Sequence, residues 1–402
     1  MSDLTRFRRG IVITTLGSLQ ILAWGSSFYL LTVLARPIAN DTGWNSAGII
    51  GGISVALLVA GIFSPRVGRA IQMYGGRPIL AASSVLFAAG LAAIGLAPNL
   101  PIYLAAWCVV GLAMGAGLYD PAFSTLGRQF GQDARTMITA VTLFGGFAST
   151  VCWPVTAILL EKYGWRSTCF AYAATHLVIG LPAYLCLLPK RPPAIAPATN
   201  GATNVKSELP ANRRGVAFLL VGAILTVGAA TLSMVSTHLL TLLQSGGLEL
   251  AVAVGLGALI GPSQVAARVI EITFGRHYHP VWTMLAGVAF VAVGIFLLWI
   301  NFPIIAVALI AYGAGNGISS IVRGTVPLVL FGSANYAVMM GRLGLPILLA
   351  MAVAPTLGAL LIEAGGANLT FGILTAASAA NVVLALILAW WCHVSTKEKP
   401  GR

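Results

Sequence analysis

Long apolar stretches alternate with short polar ones along almost the whole chain. Each apolar stretch holds about 20 or more residues, enough for a helix to cross roughly 30 Å of hydrocarbon. The stretches lack the period-2 alternation of membrane β-strands. The pattern predicts twelve transmembrane helices, near residues 11–35, 47–67, 78–97, 101–126, 138–160, 166–188, 215–243, 250–274, 280–300, 303–330, 343–365 and 369–393.

One polar segment is much longer than the others. Residues 189–214 are rich in Pro, Ala, Asn and Thr and show no amphipathic period, which is typical of a flexible linker. We therefore predict an N-terminal six-helix bundle over 1–188, a cytoplasmic linker over 189–214 and a C-terminal six-helix bundle over 215–402.

Composition agrees with a membrane location. Charged residues make up 8% of the chain, apolar ones 58%, and the mean hydropathy is +0.91, whereas a soluble domain has about 25% charged residues. The net charge of +13 could suggest nucleic-acid binding. In the predicted topology, however, 20 of the 23 basic residues lie on one side, all but Arg36, Lys162 and Arg166. The positive-inside rule then places both termini in the cytoplasm of an inner-membrane protein, and no nucleic-acid partner is needed.

Two further features limit the possibilities. Three arginines (Arg6, Arg8, Arg9) precede the first apolar run, and no small-residue cleavage site follows it, so we expect a span rather than a signal peptide. The five cysteines are scattered within apolar runs without CxxC spacing, which favours buried thiols over disulfides or metal ligands. We expect no metal and no cofactor.

A short segment occurs twice in the chain. Arg69, Gly76 and Arg77 recur 199 residues later as Arg268, Gly275 and Arg276, again where an apolar run ends in a basic turn. A second pair, 115–120 (GAGLYD) and 315–320 (GNGISS), repeats at an offset of 200. Repetition at half-length indicates two similar membrane bundles.

These features resemble the major facilitator superfamily. The signature of that family lies in the turn between spans 2 and 3, and residues 68–77 (GRAIQMYGGR) keep its glycines and closing Arg77. They depart from it at Gln72, where the family has Asp, and at Met73, where it has Arg. Segments around Trp24-Gly25 and Arg36-Pro37 look similar to the monocarboxylate and oxalate/formate branch. The resemblance implies an all-α fold of two pseudo-symmetric six-helix bundles and a non-enzymatic secondary transporter with rocker-switch alternating access.

The resemblance also implies a conformational gate at the basic side. A carboxylate there pairs with the signature Arg in the family, so we expect Asp120 to pair with Arg77, and Glu271 to serve a companion latch. An ordinary ion pair that fixes a helix end is the alternative. The predicted gate comprises Gly68, Arg69, Gly76, Arg77, Asp120, Arg268, Glu271, Arg276 and Arg323.

Spans 1, 4, 7 and 10 line the central path in this family. Gln20, Trp24 and Ser27 share one face of span 1, and the amide must find a hydrogen-bond partner away from lipid. The predicted substrate site comprises Gln20, Trp24, Ser27, Tyr119, Thr142, Trp153, Ser233, Thr237, His238, Tyr312 and Asn316. The alternative is that the hydroxyls bond back to their own helices and the tryptophans only pack.

Such a lining suits a neutral or weakly anionic organic molecule with an apolar or planar part. A carboxylate could use Arg323 near the inner exit. No acidic residue lies at mid-membrane in the predicted spans, so His238, or less readily His176, is the candidate proton relay. Uniport, or coupling through the proton of the substrate itself, fits the missing carboxylate equally well.

We therefore predict a monomeric carrier for uptake of a monocarboxylate-like or vitamin-like solute such as riboflavin, with H⁺ or another ion as a candidate coupling ion. The alternative within the same class is efflux of a drug or toxic compound. The drug/H⁺ antiporter pattern Gly-Pro-x-x-Gly-Gly is absent from span 5, which favours uptake. A channel, a sensor and an intramembrane enzyme are the readings from other classes. The enzyme would need HExxH, GxSxG or paired membrane aspartates, none of which occurs in the sequence.

Overall fold

The computed structural model describes residues 3–189, 207, 209–275 and 278–397, and these are almost entirely helical, with no β-strand among them. The predicted linker 189–214 lies mostly outside these described residues. The helices are α1 Asp3–Gly25, α2 Leu30–Thr42, α3 Ser46–Tyr74, α4 Gly76–Leu96, α5 Leu100–Gly117, α6 Tyr119–Phe130, α7 Ala134–Gly145, α8 Ala148–Thr175, α9 Leu181–Leu187, α10 Ala211–Ser245, α11 Leu250–Gly257, α12 Ile260–Phe274, α13 Pro280–Trp299, α14 Ile305–Phe331 and α15 Tyr336–Lys397.

Among the described residues, ten helical stretches are long and apolar enough to cross a membrane. Two of them, 54 residues over Ala134–Leu187 and 58 residues over Tyr336–His393, are too long for one crossing, since 54 helical residues extend about 80 Å. Each is interrupted at glycine: Gly164 has φ 78° within α8, and Gly366 has φ 65° within α15. Side chains disfavour such angles and glycine does not. The two long stretches therefore form four spans, and the predicted total of twelve is confirmed.

The chain forms two compact units. Unit 1 contains spans 1 to 6 together with residues 333–345, and unit 2 contains the rest of the chain from residue 205 onwards. Residues 333–345 include the start of α15, so the first turns of span 11 pack with unit 1 although the remainder of that span belongs to unit 2.

Glycines bring helix backbones into contact in both units. In unit 1, a Cβ added at Gly111 would lie 2.8 Å from the Cα of Ala56. In unit 2, a Cβ at Gly317 would lie 2.8 Å from the Cα of Gln264. Because lipid supplies no hydrophobic driving force between helices, close backbone contact of this kind is a main source of their association.

Candidate functional site

Three spans of unit 1 are interrupted part-way along their length. Span 1 breaks between α1 and α2 at residues 26–29, span 4 breaks at Leu118, and span 5 breaks at residues 146–147. Backbone hydrogen bonds change register at the first break, where Tyr29 N bonds to Trp24 O at 3.0 Å. Irregular backbone at membrane depth is tolerated only where protein buries it or where it lines a cavity. The breaks therefore mark the part of unit 1 most suited to a site.

Proline explains the break in span 4. Pro121 has no N–H, so the carbonyl of Gly117, four residues earlier, has no partner in its own helix. Gln20 of span 1 supplies the missing donor, and its Nε2 donates to Gly117 O at 2.7 Å. Trp24 Nε1 donates to Gln20 Oε1 at 3.2 Å. Both ends of the buried amide are thus engaged, so Gln20 holds Trp24 in place.

Aromatic side chains gather around these breaks, and we call Trp24, Phe28, Tyr29, Tyr119, Phe123 and Trp153 the aromatic cluster. The ring of Trp24 lies 5.1 Å from that of Tyr119 and 5.6 Å from that of Phe28. Tyr119 stacks on Phe123 at 5.1 Å, and Tyr29 meets Trp153 edge-on at 6.1 Å. Phe28, Tyr29 and Phe123 were not among the predicted site residues, although Phe28 and Phe123 each lie four residues after one.

The other predicted substrate-site residues of unit 1 fall into two groups, those that bond within their own span and those that lie at the aromatic cluster. Ser27 and Thr142 are fully buried, and their hydroxyls donate to the carbonyls of Ala23 at 2.5 Å and Thr139 at 2.7 Å on their own helices. Trp153 is 41% exposed at the rim of the aromatic cluster. The structure therefore brings Gln20, Trp24, Tyr119 and Trp153 together and engages Ser27 and Thr142 with their own helices.

A second buried group lies beside the break in span 1. His176 Nε2 is 2.8 Å from Ser26 Oγ, and its ring stacks on Phe87 at 4.6 Å. His176 begins a turn of π-helix that runs to Gly180. The residue is 3% exposed, so its contacts are those of a side chain that joins helices.

Unit 2 contains a similar arrangement, in which a proline of span 11 frees a carbonyl and a side chain of span 7 donates to it. Pro355 leaves the carbonyl of Met351 without its helical donor, and Ser233 Oγ donates to that carbonyl at 2.7 Å. His238 Nε2 is 2.7 Å from Pro355 O. Because a carbonyl only accepts, Nε2 carries the hydrogen in this contact. Thr237, which is exposed, donates to Ser233 O at 2.9 Å on its own helix.

Span 10 presents the predicted Tyr312 and Asn316 one turn apart. Tyr312 is 1% exposed, and neither its hydroxyl nor Asn316 Nδ2 has a partner of good hydrogen-bond geometry among the described residues. One turn further along, span 10 meets a cation of span 8. Arg268 is only 5% exposed, and its Nε contacts Ser320 Oγ at 3.0 Å and Gly317 O at 3.3 Å. The Cα of Arg268 lies about 9 Å before the end of α12.

The basic side of unit 1 differs from the predicted ion pair. Arg77 donates to the carbonyl of Leu185 in span 6, not to Asp120. The cause is the helix start at Gly76, which packs directly against Thr125 and turns Arg77 towards span 6. Arg69 is exposed.

Asp120 faces the start of span 11 instead. It is 8% exposed, and a Cβ added at Gly344 would lie 3.1 Å from its Oδ2. The carboxylate also acts electrostatically on the buried hydroxyl of Tyr336. Gln72, the residue that replaces the acid of the family signature, donates to Ala334 O at 2.8 Å. The segment 333–345 thus rests on spans 2 and 4.

Close glycine contact completes this packing in unit 1. A Cβ added at Gly68 would lie 3.0 Å from the Cα of Gly341. A side chain at either position would separate span 2 from the start of span 11.

The companion gate residues of unit 2 lie at the basic ends of spans 8 and 10. Glu271 accepts a hydrogen bond from Thr283 Oγ1 at 3.2 Å and packs against Gly275. Arg323 is partly exposed in α14. Arg276 lies outside the described residues.

Comparisons with known proteins agree with this architecture. A family model described as the Major Facilitator Superfamily matches residues 16–276. Monocarboxylate transporter 11 of Mus musculus is 33% identical over 145 residues, and that of Homo sapiens is 32% identical over 166 residues. These matches cover 35% and 40% of this chain and 30% and 32% of the relatives, so the chain matches about a third of their length.

Solved structures share the fold at low identity. The human organic anion transporter MFSD10 (TETRAN) has a TM-score of 0.74 at 15% identity, covering 94% of this chain and 99% of its own. FucP in the outward conformation has a TM-score of 0.72 at 13% identity, covering 95% and 99%. The proton:xylose symporter XylE has a TM-score of 0.67 at 13% identity, and the match covers 95% of each chain. Because the family model covers more than half of the chain, this protein belongs to the major facilitator superfamily, a family of non-enzymatic membrane carriers.

Proposed function

We propose that this carrier moves a small organic solute bearing one carboxylate by rocker-switch alternating access, with uptake as its direction. The similarity to monocarboxylate transporter 11 supports this substrate class. The alternative is a permease that exports a drug or toxic compound.

The observation that carries the proposal is the burial of Arg268. Charged groups within spans are costly and therefore tend to be functional. Arg268 is 5% exposed in α12 and lies beside Ser320. A guanidinium matches a carboxylate in shape and can bind it through two parallel hydrogen bonds. This assignment replaces Arg323, which is more exposed than Arg268.

The aromatic cluster of unit 1 separately supports a solute with a planar or apolar part. Trp24 and Tyr29 are partly exposed, and Trp153 is 41% exposed. Aromatic faces of this kind bind planar or apolar groups. Gln20 acts as a positioning residue because it anchors Trp24 to the broken helix of span 4.

Uptake into proteoliposomes tests the substrate class. Pyruvate, benzoate and riboflavin represent a small carboxylate, an aromatic carboxylate and a vitamin without a carboxylate. We expect saturable uptake of one or both carboxylates, and loss of that uptake in Arg268→Gln. Arg66→Gln is the matched control, because Arg66 is exposed beside Phe63. Uptake of riboflavin alone, or equal rates in Arg268→Gln and the control, would contradict the proposal.

Direction and coupling need separate measurements. Accumulation in right-side-out vesicles indicates uptake, and accumulation in everted vesicles indicates efflux. His238 is the candidate proton relay of unit 2, with Nε2 bound to Pro355 O. If His238 carries the coupled proton, His238→Gln abolishes stimulation by an inward pH gradient while leaving counterflow intact. Unchanged stimulation would assign the proton to the substrate itself.

We propose that Asp120 controls the gate at the basic side through residues 333–345 rather than through Arg77. Asp120→Ala is expected to change the transport rate without preventing insertion. Wild-type transport in that variant would rule out the gate. Gln72→Asp places a second acid near Ala334 O and is expected to weaken the same packing by repulsion.

We also propose that the carrier lies in the cytoplasmic membrane as a monomer with both termini inside. The asymmetry of Lys and Arg supports this orientation. Fusion of an alkaline phosphatase reporter to the C-terminus is expected to give an inactive reporter, because that enzyme is active only outside the cytoplasm.

A further inference from the structure

A small cavity with two arginines opens at the basic side of unit 1. It lies where α3 ends, α4 begins and α6 ends, and it is not part of the proposed substrate site. Its lining includes Gly75, Arg77, Thr125, Arg128, Gln129 and Leu188, and no acidic residue is among its lining residues.

The backbone holds both guanidinium groups in place. Arg128 Nη1 donates to Ile71 O at 2.6 Å, and Arg77 donates to Leu185 O. Arg77 Nε is buried and has no hydrogen-bond partner among the described residues. Each guanidinium has five N–H donors, so one bond to a carbonyl orients the group and leaves donors for a ligand.

The start of α4 adds partial positive charge to the same place. This 21-residue helix begins at Gly76, and no side chain caps it. Its first N–H groups and its dipole favour an anion. Two like charges and a helix N-terminus lie around one small cavity, and an anion between them would offset their mutual repulsion.

We propose that this cavity binds a phosphate group. The planar donors of Arg77 and Arg128 suit the oxygens of a phosphate ester, which accepts several charge-assisted hydrogen bonds at once. An anionic lipid of the adjoining leaflet and a soluble phosphate compound are the two sources of such a group. Tyr74 at the cavity rim is 67% exposed, and aromatic residues of this kind are enriched at the level of lipid headgroups.

Thermal unfolding of the purified full-length protein in detergent tests this site. The probes are short-chain phosphatidylglycerol, short-chain diacylglycerol without phosphate, and inorganic phosphate. We expect saturable stabilisation by phosphatidylglycerol and none by diacylglycerol. Arg77→Gln and Arg128→Gln should each raise the half-saturating concentration about tenfold, since one charge-assisted contact is lost. Arg66→Gln removes the same charge from outside the cavity and should leave it unchanged.

The probes also separate the two sources of phosphate. Stabilisation by inorganic phosphate with the same arginine dependence would assign a soluble ligand, and stabilisation by phosphatidylglycerol alone would assign a lipid. Equal effects of diacylglycerol, or equal weakening by Arg66→Gln, would overturn the site. Should a Gln variant fail to fold, Arg128→Lys keeps the charge and loses the planar fork. It is expected to weaken binding of phosphatidylglycerol several-fold, and unchanged binding would overturn the proposal.

Discussion

The carbonyls of Gly117 and Gly317 occupy the same place in the two copies of the internal repeat, yet they accept hydrogen bonds from different donors. In unit 1 the donor is the neutral amide of Gln20, and the helix breaks at the next residue, Leu118. In unit 2 the donors are Arg268 and Ser320, and α14 continues without interruption.

A single position explains the difference in backbone. Pro121 follows Gly117 by four residues and cannot donate to it, whereas Ile321 at the equivalent position of unit 2 has an N–H. Both units thus have a glycine carbonyl at the equivalent position, but the side chains that donate to it differ. Unit 1 holds a neutral aromatic cluster there, and unit 2 holds a buried cation.

The largest effect is expected from the cation. Arg268→Lys keeps the charge but loses the planar fork, and Arg268→Gln loses both. We expect carboxylate uptake to fall about 100-fold in Arg268→Gln, corresponding to about 3 kcal/mol for a buried charge contact, and less in Arg268→Lys. Initial rates in proteoliposomes measure this, with Arg66→Gln as the control. A fall in Arg268→Gln that is matched by the control would show only loss of net charge.

The next effect concerns the broken helix of unit 1. Gln20→Leu leaves Gly117 O without a donor and should lower the free energy of unfolding by about 1–3 kcal/mol. Pro121→Ala restores an N–H at the right place, so the double variant should lose less than Gln20→Leu alone. Unfolding in detergent gives the coupling energy from the four proteins. Strict additivity would mean that the proline does not create the need for Gln20.

A weaker form of the same test applies to unit 2. Ser233→Ala removes the donor to Met351 O and is expected to cost about 1 kcal/mol, because a neutral hydroxyl bond contributes less than a fully engaged amide. Pro355→Ala should compensate in the double variant. Compensation in unit 1 but not in unit 2 would show that only the break in span 4 depends on a proline.

The smallest effect is expected where hydroxyls bond back to their own helices. Thr142→Val and Thr237→Val should each change stability by less than about 0.5 kcal/mol and leave the KM for transport unchanged. A tenfold rise in KM in either variant would return that threonine to the substrate site.

Hydropathy alone was sufficient for the twelve spans, because a helix in lipid must satisfy its own backbone and has little freedom in length. The breaks at residues 26–29, 118 and 146–147 did not follow from it. Pro121 could have predicted the break in span 4, since any proline inside a span frees the carbonyl four residues earlier. Gln20 and Ser233 were identified as polar side chains, but their acceptors became visible only in the structure.

The charged residues were harder to place. Arg77 and Asp120 lie at one predicted depth, yet the rotation of α4 and α6 directs them to different partners, and depth says nothing about rotation. Arg69 and Arg268 are equivalent in the repeat, but the first is exposed and the second is buried. The sequence repeat shows shared ancestry, whereas burial depends on how neighbouring spans pack.

The most direct test of carboxylate recognition by Arg268 is the preference between benzoate and benzamide, which share a ring and differ in charge. Competition against saturable uptake in proteoliposomes measures the two affinities in the wild type and in Arg268→Gln. We predict that the wild type prefers benzoate by about 100-fold and that this preference disappears in Arg268→Gln. An unchanged preference for benzoate in Arg268→Gln would contradict the assignment of Arg268 as the carboxylate-binding residue.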